Sequence, residues 1–189
     1  LQGTSMATPL AASAALLVRE YFVEKYYKNR ANVSIVDTTA PTGSLIRATL
    51  AASAAPLRGI YPRTSFSTVQ QRIDASGHGR IALDRVLDMG AGDSKVLTAV
   101  LANEESQLGL ATQRSVRWCI DIVGSYDELV LTMAYADYPS LPMAKASLVN
   151  DLRLRAIDGS DEFAVNEQPS IDEKRSTIER IVVAGRQQV

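Results

Sequence analysis

The sequence predicts a chain in two parts: a mainly helical first part, residues 1–105, and an antiparallel β-sandwich, residues 106–189. Two observations carry the division. Runs rich in Ala, Leu and Val with helical spacing fill 5–28 and 43–55. After Gly90 and Gly92 the pattern changes to short β-rich runs at 117–123, 129–135, 148–157 and 177–183, separated by glycine, proline or acidic clusters. The peptide Gly-Thr-Ser-Met-Ala-Thr-Pro at 3–9 opens the first helix, and it is where the chemistry is expected.

The first helix, 5–28, has a small-residue half from Leu10 to Val18, suited to close packing in a core. Tyr21, Phe22 and Tyr26 continue its apolar face, and Arg19, Glu20, Glu24, Lys25 and Lys28 mark its emergence into solvent. Pro9 is tolerated only near a helix start, where amides lack intrahelical partners, so Ser5 belongs at or just before the N-terminus. The polar stretch 29–41 is irregular. The second helix turns Leu45, Ile46, Thr49 and Leu50 inward. A Pro- and Gly-containing loop covers 56–68. Gly77-His78-Gly79 then reads as a turn, followed by a short extended piece and a last helix near Leu87.

Composition limits the function classes. The chain has 189 residues, 46% of them hydrophobic and 22% charged, as in a folded soluble protein. A formal net charge of −1, with the charges divided almost evenly between the halves, argues against a nucleic-acid partner or a membrane surface. No apolar run approaches the roughly 20 residues that span a bilayer. The single cysteine, Cys119, excludes an internal disulfide and a cysteine metal cluster. In the apolar run Trp118-Cys119-Ile120 it is expected to be a buried small hydrophobe. The chain begins at Leu1 without a signal peptide and is expected to be a piece of a longer protein.

A serine hydroxyl is a poor nucleophile until a base takes its proton and donors hold the developing oxyanion. A helix N-terminus meets the second need with an outward amide and partial positive charge. Gly3 permits a strained backbone approach, while Ala7 and Pro9 keep the first turn narrow and rigid. The alternative is plain helix capping, a common task of Ser and Thr before an Ala-rich helix. His78, the one histidine, is a second candidate for chemistry, as base to Ser5 with Asp37 or Asp74 as acid. Its place between two glycines, and the absence of a G-x-S-x-G elbow after a strand, make a turn residue the favoured reading.

The seven residues 3–9 resemble the nucleophile motif G-T-S-x-A-x-P of the subtilisin-like serine proteases, and Leu10 to Leu17 resembles the small-residue helix that follows it there. The similarity extends along the chain. Ser44 to Ala54 resembles P-S-x-L-[LI]-[KR]-A-x-L, and Gly77 to Val86 resembles G-[WFH]-G-R-[VI]-x-L-x-R-[AV]. Leu129 to Pro139 resembles L-x-V-T-L-x-W-T-D-P-P with Tyr135 in place of Trp. Leu148-Val149-Asn150-Asp151-Leu152 reproduces L-V-N-D-L with Arg153 in place of the following Asp, and Ser176 to Ile181 resembles N-N-V-E-x-[IV]. This series is that of family members with a jelly-roll-like β-sandwich after the catalytic domain.

The resemblance implies that residues 1–105 are the C-terminal remnant of an α/β catalytic domain. It implies a serine endopeptidase acting on proteins or peptides, with Ser5 as nucleophile and its amide as one oxyanion donor. Gly3 and Thr4 would line the substrate. The triad His and Asp and a second oxyanion donor, an Asn, are expected upstream, so residues 1–189 alone are expected to be essentially inactive. By the same resemblance the protein is expected to be secreted or endomembrane. No cofactor is needed for the chemistry. Asp137, Asn150 and Asp151 are candidate ligands of a structural calcium, since Ca²⁺ collects carboxylate and amide oxygens. The alternative is a turn held by Asn150 and Asp151 with Asp137 capping a strand end. A function from another class is a non-catalytic relative that binds or adheres through its sandwich.

Overall fold

The computed structural model describes residues 3–26, 40–57, 76–88, 96, 98–100, 113–122, 125–144, 148–158, 161–164 and 176–185. These residues form a mixed α/β arrangement. Helix α1 is Thr4–Glu20, continued by a π-helical turn at Tyr21–Tyr26, and helix α2 is Gly43–Ser53. A 3₁₀ turn, Leu83–Arg85, precedes strands β1 (Glu128–Ala134), β2 (Ala156–Asp158), β3 (Asp161–Ala164) and β4 (Ile178–Ala184). The strands make two separate antiparallel pairs, β1 with β4 and β2 with β3.

α1 buries one stripe. Ala11, Ala14 and Ala15 are half-buried, and the same face continues through buried Val18 and Phe22, a spacing of three and four residues. The leucines lie elsewhere: Leu10 is 72% exposed, Leu16 67% and Leu17 54%. The small-residue half is therefore not enclosed as its composition predicts. Burial is instead deepest where the charged residues begin, because Val18 and Phe22 meet α2, Val86, Leu87 and Val100 there. α1 also runs through Pro9, its sixth residue, so this proline lies deeper in the helix than the first turn.

α2 starts with a side-chain cap that its sequence encodes. Thr42 is extended (φ −68°, ψ 160°), and its Oγ1 accepts the Leu45 N–H at 3.1 Å. The expected inner face holds: Thr49 is buried, and Leu45, Ile46 and Leu50 pack against the cluster of Val18, Phe22, Val86, Leu87 and Val100. Burying a side chain such as Phe22 stabilises by about 1.5–3 kcal/mol. Ala48, Ala51 and Ser53 are buried too, since α2 also packs on β1 and β4. The small residues allow α2 to be the middle layer, with α1 on one side and the sheet on the other.

The β1–β4 register pairs Glu128 with Ala184, Leu131 with Ile181 and Ala134 with Ile178. Side chains alternate between faces. Arg180 points toward α2, where it bonds Ala54; its neighbours Glu179 and Ile181, also buried, lie on the other face. Two of the four expected β runs are strands at nearly the expected limits. Run 148–157 is mostly irregular and becomes β2 only at Ala156. Residues 117–122 form no ladder among the described residues. Trp118, Ile120 and Ile122 are exposed there, and Cys119 is exposed as well, which corrects the expected burial. An apolar run by itself does not bury a thiol; a facing layer is needed. The expected domain boundary, 89–111, falls largely outside the described residues.

Two glycines mark close approaches. Gly79 has φ +122°, and a β-carbon there would collide with the carbonyl of Ala55. That contact exists because Ala55 and Arg80 exchange backbone hydrogen bonds of 2.8 and 2.9 Å. Gly185 likewise leaves no room beside the Tyr126–Asp127 backbone, where its N–H donates to the Asp127 carbonyl at 2.7 Å.

Gly79→Ala should therefore destabilise the chain by about 2–4 kcal/mol, from strain at positive φ plus overpacking, and thermal melting will read the loss. Gly77→Ala, where φ is +58° with open space around the site, should lower the melting temperature less. In α1, Pro9→Ala should raise the melting temperature, gaining about 1–3 kcal/mol, because it restores a helix N–H and removes the ring's clash with the preceding turn.

Candidate functional site

The first turn of α1 presents the motif residues to solvent. Gly3, with φ 128° and ψ 154°, is the N-cap, and no side chain caps the helix. Thr4 and Ser5 are the first two helical residues and both are exposed. Neither is a cap, so capping does not account for either hydroxyl. The Gly3 carbonyl accepts from the amides of Met6 (3.3 Å) and Ala7 (3.4 Å). The amides ahead of them, those of Thr4 and Ser5, have no intrahelical acceptor and face out of the positive end of the helix dipole. Thr8 donates its hydroxyl to the Thr4 carbonyl at 2.9 Å. Pro9 lacks the N–H that would bond to the Ser5 carbonyl four residues back, so that helix bond is missing. An exposed hydroxyl with outward amides is a geometry that can present an alcohol and hold an adjacent anion.

The candidate base, His78, is placed differently. His78 lies in the turn Gly77–His78 beside the Ala55–Arg80 bridge, half-buried at the far end of α2. Ser5 lies at the exposed N-terminal end of α1. Asp37 and Asp74 fall outside the described residues.

Asp137 and Asn150 are brought together, and Asp151 is not part of their contact. The Asp137 carboxylate accepts from the amides of Tyr138 (2.9 Å) and Val149 (2.7 Å). It also takes the Asn150 amide (3.1 and 3.2 Å to its two oxygens) and the Asn150 side-chain Nδ2 (2.8 Å). Burial alone would raise the Asp137 carboxyl. The hydrogen bonds from the Asn150 side chain and from the three amides outweigh it and hold the group below its ordinary 3.8. Asp151 pairs loosely with Arg153, at 3.5 Å. No group of three His, Cys, Asp or Glu residues that could hold a metal occurs among the described residues.

Tyr135 closes the same loop from outside. Its hydroxyl donates to the Asn150 carbonyl at 2.8 Å. Burial raises its phenol above 10.0, and the nearby carboxylates of Asp137, Asp151 and Glu179 push the same way against a backbone hydrogen bond at Leu152. The phenol thus stays a donor. In sequence terms Tyr135 is only a substitution for Trp, and its polar tip is the one signal that could have marked this bond.

Asp137 contributes stability through a lowered carboxyl. That contribution is present above the unfolded value of 3.8 and disappears as pH falls through the still lower folded value. Asp137→Asn should lower the melting temperature at neutral pH, and the gap to the parent should close on acidification below about pH 4; a gap that stays constant down to that range would refute the assignment.

No family model matches the chain, and no solved structure matches it. Three Dictyostelium discoideum proteins are similar to it. The serine protease/ABC transporter B family protein tagD is 29% identical over 85% of this chain. The tagB protein of the same description is 26% identical over 87%, and tagA is 26% identical over 82%. The chain spans 8–10% of the length of these relatives. Their names link most of this chain, at low identity, to serine proteases.

Proposed function

We propose that this chain is part of a subtilisin-like serine endopeptidase and that Ser5 is its nucleophile. The single observation that carries the reading is the placement of the motif. Ser5 is the second residue of a helix whose cap is Gly3, it is exposed, and its amide points out of the helix end. The serine-protease names of the relatives support the reading over the same stretch.

In this mechanism the Ser5 Oγ attacks the scissile carbonyl of a protein or peptide substrate, its proton passing to a histidine. The carbonyl oxygen becomes an oxyanion that accepts the Ser5 N–H. Collapse expels the amine, which takes the proton back from the histidine, and leaves an acyl-enzyme that water hydrolyses. Gly3 and Thr4 line the substrate beside the nucleophile. By the resemblance, the histidine, the Asp that orients it and a second oxyanion donor come from the intact protein outside residues 1–189, and His78, between two glycines, is a turn residue. Residues 1–105 then complete an α/β catalytic domain, and residues 106–189, with the β1–β4 pair, belong to a jelly-roll-like sandwich.

The reading includes no cofactor in the chemistry. It gives the candidate calcium ligands a structural role, since the Asp137 carboxylate is already occupied by N–H donors that a cation would have to displace. Calcium added to the protein should leave its melting temperature unchanged, and a rise that saturates with calcium would restore Asp137, Asn150 and Asp151 as ligands.

A fluorophosphonate probe should label the intact protein and fail to label its Ser5→Ala variant. Equal labelling of both would remove Ser5 from the mechanism. The absence of labelling in an intact, folded protein would favour a binding role instead.

A further inference from the structure

Thr8 donates its hydroxyl to the Thr4 carbonyl, four residues back in α1, at 2.9 Å. The Thr8 N–H is that carbonyl's regular helix partner, so one residue offers the oxygen two donors. The next carbonyl along, that of Ser5, is short of its helix donor, because Pro9 has no N–H to give it. The two peptide units that flank Ser5 are thus held differently. The one that follows Ser5 is tied through the Met6 N–H, at 3.3 Å from the Gly3 carbonyl. The one that precedes Ser5 is tied at its carbonyl, by the backbone and the hydroxyl of Thr8 together.

The peptide unit that ends in the Ser5 N–H begins with the Thr4 carbonyl. A trans peptide is planar, with C=O and N–H pointing in opposite directions. Fixing the Thr4 oxygen therefore fixes the direction of the Ser5 N–H, which has no acceptor within the helix. Hydrogen bonds in a chain also polarise one another, so an amide whose carbonyl accepts is a stronger donor, by about 10–30% per bond. We propose that Thr8 is a positioning residue for the oxyanion donor: through the Thr4 carbonyl, its hydroxyl aims and strengthens the Ser5 amide. This rests on the reading of Ser5 as nucleophile. Donor and acceptor lie in one helical turn, so the bond needs nothing from elsewhere in the protein. Threonine suits the position, because one of its two preferred helix rotamers brings the hydroxyl to the carbonyl one turn back. A bond of the same kind occurs further along α1, where Ser13 donates to the Pro9 carbonyl at 2.9 Å. The peptide unit of that carbonyl ends in the Leu10 N–H, which is committed to the helix ladder. The Ser13 bond therefore has no outward amide to aim, and Ser13 serves as the control.

The test uses the intact protein with Thr8→Val, which keeps the shape and loses the hydroxyl, Thr8→Ser, which keeps the hydroxyl, Ser13→Ala and Ser5→Ala. One oxyanion donor contributes about 10²–10³ in rate, and losing about 10–30% of its effect makes the expected change about two- to eightfold. Thr8→Val should lower kcat for a peptide substrate by this factor with KM unchanged, because the oxyanion forms only after the ground state. The Ki of a peptide aldehyde, whose adduct with a serine places an oxygen at the same amide, should rise by the same factor. Thr8→Ser should restore most of both, and Ser13→Ala should change neither. Parental kcat and aldehyde affinity in Thr8→Val would overturn the proposal, whatever its melting temperature. So would a change in KM alone, an equal loss in Ser13→Ala, or a Thr8→Ser variant no better than Thr8→Val. Fluorophosphonate labelling separates these results from the underlying reading. If Ser5→Ala is labelled like the parent, Ser5 is not the nucleophile and both readings fall. If only the parent is labelled, a silent Thr8→Val removes the role of Thr8 and leaves that of Ser5 standing.

Discussion

The last carbonyl of a helix has no partner within the helix, and in this chain that fact organises the fold. At the end of α2 the carbonyl of Ala54 is met by one guanidinium from the turn before β1 and by another from β4. Each such charge-assisted bond contributes about 1.5–3 kcal/mol, and the buried one could not be lost without leaving a charge inside the protein. The half-exposed Arg85–Glu128 pair adds little energy by itself. Its effect is geometric: it fixes Arg85 so that one side chain touches the helix and the sheet together. The neighbouring Ala55–Arg80 bridge and the crowding at Gly79 close the same corner. Helix end, turn and strand therefore meet at one place.

The small residues of α2 follow from that arrangement. A helix between two layers needs a narrow waist on each side. Ala48, Ala51 and Ser53 supply it toward the sheet, and Ala52 lies against the apolar cluster. The larger Leu45, Ile46 and Leu50 then reach across to Val18 and Phe22. α1, by contrast, is gripped along a single stripe. Its motif end is presented and its aromatic end is anchored, as Phe22 packs with Val86, Leu87 and Val100.

Much of this was legible in the residues. Periodicity located both helices; the Thr42 cap that fixes the start of α2 was read only from the structure. Alternating β-branched and aliphatic residues located β1 and β4 within a residue or so. Burial was less legible, because it depends on what faces a segment. Leu10, Leu16 and Leu17 lie off the stripe that α2 covers, and Cys119 sits in an apolar run with no facing layer among the described residues. For the site, the motif placed Ser5 at a helix start, but the identity of the cap could not be read, since Gly3, Thr4 and Ser5 are all acceptable caps. Asp137, Asn150 and Asp151 were legible as a group of oxygen donors, whereas the pairing of Asp137 with Asn150 alone was not: a carboxylate near an asparagine serves amides or a cation equally well until the donors are seen. The arginine pins were invisible, because they join residues over a hundred positions apart.

That separation has a consequence for synthesis. Ala54 leaves the ribosome 126 residues ahead of Arg180, and Arg47 leaves 130 ahead of Thr177, to whose hydroxyl it donates. At about 5–20 residues per second the helix waits on the order of 6–25 s for the strand that secures it. During that interval α2 exposes a face of small residues and an unfilled carbonyl, and β1 has an open edge awaiting β4. The nascent chain is therefore most vulnerable just before β4 is made, and factors that shield a growing polypeptide would act on this region in that window.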